Sequence, residues 1–185
     1  MAGTPDFTVR RLVAAASRDT ELVKRLTELV NDVYVTAESG LWQDGFTRTT
    51  PSEFAELIAD GQIVVATASD GQIVGSVRLH QIAADTSEFG ILVADSDRRG
   101  AGIGRALVDF AEQDSRDRGL RAIQLELLVP HTWRHPSKEF LKCWYGRRGF
   151  RLIQVRRMDD AYPQMAPLLA TPCDLEVYEK PLVRK

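Results

Sequence analysis

The chain has 185 residues, 44% of them hydrophobic and 27% charged, with a formal net charge of −2. That length suits one domain, residues 1–185, with a sizeable core. The balance lacks the basic excess of a nucleic-acid or anionic-membrane binder. Apolar runs fall short of a bilayer span, and the start "MAGTPDFTVRRLVAAA" has no charged segment leading into an apolar one, so the expected compartment is the cytoplasm. Cys143 and Cys173 form no metal spacing with His80, His131 and His135. Two free thiols and no metal are expected.

Loose alternation over Phe7–Ala14 predicts a first strand. Leu22, Leu26, Leu29, Val30 and Val33 recur at helical spacing across Thr20–Tyr34. "ESGLWQDGFTRT" (38–49) reads as a polar loop. Thr50-Pro51-Ser52-Glu53 is a capping-box start for a second helix, which Gly61 ends. "QIVVATA" (62–68) and "QIVGSVRLH" (72–80) flank Asp70-Gly71, a hairpin signal. A third strand spans about 87–93. A glycine loop and a helix over about 102–118 follow, with Arg105, Asp109, Glu112 and Arg116 expected on its wet face. "AIQLELLV" (122–129) is a strand, and Ser137 is expected to cap a helix over 138–147. "FRLIQVRRM" (150–158) is a strand, 159–172 a long loop, and "DLEVYEK" (174–180) a last strand offering an edge for a homodimer. His131 and His135 are expected on a surface loop.

"DRRGAGIGR" (97–105) lies between a strand and a helix, where backbone N–H groups and the helix dipole favour an anion. It lacks the GxxxxGK[ST] of a P-loop. Gly100 and Gly102 start a dinucleotide fingerprint, but Arg105 stands at its third glycine. Arg99, Gly102 and Gly104 instead fill [Arg/Gln]-x-x-Gly-x-[Gly/Ala].

That pattern resembles the pyrophosphate loop of the GNAT superfamily, the Gcn5-related N-acetyltransferases. "EFGILVADSDRRGAGIGRALVDFAE" (88–112) is similar to the family's fourth strand, loop and third helix, and "FLKCWYGRRGF" (140–150) to a later helix. Ser96 stands where many members carry proline. The resemblance implies an α/β fold with a mixed, mostly antiparallel sheet of six to seven strands and about four helices. It also implies a splayed pair of strands that admits acetyl-CoA. Main-chain groups of Leu92, Val93 and Ala94 would pair with the pantetheine arm. Arg99, Gly100, Ala101, Gly102, Ile103, Gly104 and Arg105 would hold the pyrophosphate.

Acyl transfer to an amine needs a lone pair. Neutralising an alkylamine of pKa about 10 at pH 7 costs about 4 kcal/mol. The oxyanion needs donors, and the leaving thiolate benefits from a proton. By the resemblance, Glu88 matches the base glutamate of histone-type members, Tyr145 the tyrosine that reaches the sulfur, and an amide near Val93 the oxyanion donor. His80 reads as structural, and Cys143, with no base nearby, is not a nucleophile. The acceptor cleft would come from 38–49 and 159–172. There Trp42, Phe46 and Tyr162 are candidates for an apolar wall. Glu38, Asp44, Asp159 and Asp160 are candidates to attract a cation, and Arg48 to bind a carboxylate. The expected acceptor is a small-molecule amine. A protein lysine or N-terminus, or a silent acetyl-CoA-binding module, is the alternative.

Overall fold

The computed structural model describes residues 6–182. Regular apolar spacing forms helix α1 at Thr20–Ala37, three residues past its expected end; the Asp19 carboxylate caps it by accepting from the Leu22 amide at 3.0 Å. Helix α2 is Pro51–Ala59, and the capping box is present: the Glu53 amide donates to Thr50 Oγ1 at 3.3 Å, and the Thr50 amide to Glu53 Oε2 at 2.8 Å. Helix α3 covers Ile103–Asp117, α4 Pro136–Arg147 and the short α5 Met158–Ala161. The expected Ser137 cap is corrected. His135 is the N-cap residue of α4, and Pro136 takes the first-turn place, where no N–H is needed.

Seven strands form one sheet: β1 Phe7–Arg11, β2 Ile63–Ala68, β3 Ile73–Ala83, β4 Thr86–Ala94, β5 Ala122–Pro130, β6 Arg151–Arg157 and β7 Cys173–Pro181. Their order is β1-β2-β3-β4-β5-β7-β6, antiparallel except for β4 beside β5. The C-terminal strand β7 is therefore interior, and β6 holds the edge expected of it. Alternation sorts the two faces. Ile63 and Val65 of β2 pack with Leu26, Val30, Phe54 and Ile58 of α1 and α2, while Val64 and Ala66 join Ile103 and Leu107 of α3.

Two irregularities matter for the site. The β4–β5 pairing runs only from Thr86–Ala122 to Glu88–Gln124, after which the strands part. On its other side β4 bulges: Gly90 and Val93 lie opposite Arg78 and Ser76, so β4 carries one extra residue there. Ile91 absorbs it at a φ of 48°, a strained value for a β-branched side chain.

Gly75 of β3 pairs with Ala94. A Cβ there would sit 2.6 Å from Ile103 Cγ2 and 2.9 Å from the Val93 carbonyl oxygen. Its absence lets the first turn of α3 rest on the sheet. Farther along α3, Glu112 is buried rather than wet. Its carboxylate accepts from Arg148 and Arg116 at 3.0 Å each and from Lys180 at 2.7 Å. One buried anion thus ties α3 to the end of α4 and to β7, its desolvation offset by three cations.

Candidate active site

The loop after β4 is shaped by backbone. A turn of 3-10 helix at Ser96–Arg98 leads to Gly100 and Gly102, at φ 83° and 81°. Gly102 is the N-cap residue of α3, and no side chain caps that end. The first-turn amides of Ile103, Gly104 and Arg105 are therefore open. A Cβ added at position 100, 102 or 104 would meet nothing within 4 Å, so the loop surface beside these amides is open. A pyrophosphate fits such a cradle, with the dipole of α3 behind it. Ala101 is exposed, and Ile103 turns its side chain into the core, leaving only main chain for a ligand. Arg99 is exposed; Arg98 lies 3.7 Å from Asp70 and Arg105 3.6 Å from Asp109.

Where β4 and β5 part, a cavity of about 1000 Å³ opens, bounded by Glu88–Leu92 on one strand and Leu125–Leu128 on the other. Leu92 lines it, whereas Val93 is core and Ala94 lies beyond. From Phe89 onward the β4 main chain has no partner on β5, which leaves backbone groups for an extended ligand to pair with.

Tyr145 enters the cavity from α4. Its ring is nearly buried, edge-on to Phe150 at 5.7 Å and tilted against Phe89 at 5.9 Å. Burial pushes the phenol well above its usual range, so it holds its proton at neutral pH.

Glu88 is the last β4 residue paired to β5, and it lines the same cavity. Burial and then the Glu126 carboxylate raise it to about 7; Arg78 and Arg156 offset part of that. Glu126 is held by Arg156 at 2.8 Å and by the Tyr162 hydroxyl at 2.7 Å. Across the β3–β4 register, His80 Nε2 is 3.8 Å from Glu88 Oε1. Burial and Arg78 push His80 down to about 4, so it is neutral and forms no ion pair at pH 7.

The two long connections close the far end. The Gln43 amide donates to the Leu168 carbonyl at 2.9 Å, the Ala170 amide to the Leu41 carbonyl at 2.9 Å, and Trp42 bridges to Leu169. Trp42, stacked on Phe46 at 4.0 Å, and Tyr162 line the cavity, as expected of them. Glu38 does too, but its carboxylate is already paired with Lys138 at 2.6 Å. Asp44 lines the mouth; Asp159 instead pairs with Arg157, and neither it nor Asp160 borders the cavity. His135 is corrected from surface to buried, its Nε2 3.1 Å from the Ser39 carbonyl, and His131 lies 2.9 Å from Asp174.

Residues 24–143 match the family described as Acetyltransferase (GNAT) family. The chain belongs to that family. Its fold is similar to Ard1 from Thermoplasma volcanium, at 15% identity and TM-score 0.67, over 97% of this chain and 99% of that one. It is similar to the ribosomal-protein-S18-alanine N-acetyltransferase from Escherichia coli, at 17% and 0.66, over 97% and 96%. It is also similar to the PaiA N-acetyltransferase from Thermoplasma acidophilum in complex with coenzyme A, at 16% and 0.67, over 95% and 98%. No curated protein matches it in sequence. The chain is thus an N-acetyltransferase of this family, with acetyl-CoA as co-substrate. Among the described residues, no helix is long and apolar enough to cross a membrane, and no cluster of His, Cys, Asp or Glu is placed to hold a metal.

Sequence reasoning missed Tyr34, Arg78, Glu126 and Lys138. Each lies on an ordinary helix or strand, with no local motif to mark it. Glu126 was reachable: alternation along β5 puts it on one face with Gln124 and Leu128, beside Glu88 of the neighbouring strand.

Proposed function

We propose that this GNAT enzyme moves the acetyl group of acetyl-CoA directly to the primary amine of a small molecule, with Glu88 as base and Tyr145 as acid. The reading treats residues 1–185 as one catalytic domain. The observation that carries it is the convergence of Glu88, Tyr145 and the unpaired stretch of β4 on one cavity.

Acetyl-CoA supplies the activated acyl group. Glu88 takes the proton that the attacking amine must lose. A carboxyl at its ordinary pKa lies about six units below an alkylammonium; at about 7 the gap halves, and each unit is worth about 1.4 kcal/mol. Arg78 and Arg156 keep Glu88 from rising further, so its ionised form is available near neutral pH. Tyr145, protonated and lining the cavity, hands a proton to the departing sulfur. The open amides of α3 and the main chain of Leu92–Ala94 would hold the cofactor arm, and Arg99 would add charge at the phosphates.

A small acceptor is supported by the closed far end. The connections 38–49 and 159–172 are joined to each other by backbone hydrogen bonds, which would narrow the approach for an extended peptide. The pantetheine arm would also share the cavity, which reduces the room left.

The test is thiol release from acetyl-CoA across a panel of small amines, lysine peptides and peptides with free N-termini. Small amines should give the higher kcat/KM. Preferential turnover of either peptide class would overturn the small-molecule reading.

A further inference from the structure

Resting on that reading, we propose that the acceptor amine carries a carboxylate, and that Arg48 is the residue that binds it. The substrate class is then an amino-carboxylate rather than a simple amine.

Arg48 lines the cavity from the connection between α1 and α2. Among the described residues, no carboxylate lies within ion-pair distance of it, and its Nε is buried without a hydrogen-bond partner. The nearest anion along the wall, Glu38, is fully engaged. One oxygen accepts from Lys138 Nζ at 2.6 Å and the other from Trp42 Nε1 at 2.6 Å. Glu38 and Tyr34 still favour the charged guanidinium from nearby, but neither gives half-buried Arg48 a carboxylate of its own, and its Nε stays without a partner. A guanidinium with donors left over on a cavity wall gains from a ligand that completes it. A carboxylate does so with two parallel N–H···O bonds.

The arginine is also held in place. The Thr49 amide donates to Asn31 Oδ1 at 3.1 Å and the Asn31 side-chain amide to the Thr49 carbonyl at 3.0 Å, fixing the adjoining backbone to α1. The guanidinium carbon lies 5.1 Å from the centre of the Tyr34 ring. Such a rigid mount suits recognition, because little side-chain freedom remains to be lost on binding.

Arg48 shares its cavity with the groups that do the chemistry: Glu88, Tyr145, Tyr34 and Tyr162 all line it. The Tyr162 hydroxyl donates to Glu126, the carboxylate that acts on Glu88. An amino-carboxylate would place its acid at Arg48 and its amine toward Glu88.

The experiment compares matched acceptors with wild type and Arg48→Met. Leucine, methionine, phenylalanine and 4-aminobutyrate are each assayed beside their amides and their decarboxylated amines. In wild type, at least one carboxylate acceptor should exceed its amide about 100-fold in kcat/KM, and in Arg48→Met that ratio should fall to near one. Circular dichroism shows whether the variant folds; if it does not, the wild-type ratio decides alone. A wild-type ratio near one overturns the carboxylate assignment while leaving a small-amine acetyltransferase standing. A large ratio that persists in folded Arg48→Met overturns the role of Arg48. Turnover of peptides alone overturns both readings.

Discussion

The two ends of the cavity are built differently. The donor end is main chain: open amides at the start of α3, an unpaired stretch of β4 and glycines that keep Cβ atoms away. The acceptor end is side chain: Arg48, Glu38, Lys138, Tyr34 and Tyr162, brought together from two helices and two connections. A backbone site needs a particular local sequence, since only glycines allow the close approach. A side-chain site needs only that the right groups meet in space. The donor end can therefore be read as a string, whereas the acceptor end exists only once the chain has folded.

This difference sets what substitutions should do. Tyr145→Phe removes one oxygen between the two ends and keeps the ring that packs on Phe89 and Phe150. It should lower kcat by about 10² or more with Tm nearly unchanged, by thiol-release kinetics and calorimetry. Gly104→Val should damage the donor end alone. Its side chain enters space that is empty in the protein, so the fold survives while coenzyme A affinity falls about tenfold or more by titration calorimetry. Gly75→Ala acts on the support beneath that end. With Ile103 and the Val93 carbonyl in the way, it should cost about 1–3 kcal/mol in urea denaturation.

The last effect, comparable in size, concerns Glu88 and stability. Its folded pKa is raised from 4.5 to about 7, so the folded state binds the proton more tightly than the unfolded chain does. The ionised residue therefore destabilises the fold: stability falls as pH rises from about 4.5 and levels off above about 7. Glu88→Gln should be more stable than wild type at pH 8 by up to about 3 kcal/mol, with the difference vanishing below about pH 4.5.

Much of the fold was legible for local reasons. The Thr50–Glu53 capping box, the Asp70-Gly71 hairpin and the alternation in β2 each constrain a few adjacent residues, and each appears where expected. What stayed hidden depends on long-range partners. Glu112 looks wet by helical periodicity, yet Arg148 and Lys180 arrive from distant elements to bury it. The interior place of β7 is a matter of strand order, which local pattern does not encode. Within the site, Glu88, Tyr145 and the glycine loop were found because they sit in recognisable strings. Arg48 and Glu38 were noticed only as loop charges. The Lys138 pairing that occupies Glu38, and the lack among the described residues of a carboxylate ion-paired with Arg48, needed α1, α4 and the loop in one frame.

The most direct measurement is the pH dependence of kcat/KM in wild type and Glu88→Gln, using whichever amine the panel selects. With Glu88 as the base, wild-type activity rises with pH and bends near pH 7 as the carboxyl ionises, and Glu88→Gln is about 10²-fold slower and lacks that bend. The same bend in both proteins, at similar rates, would contradict Glu88 as the proton acceptor.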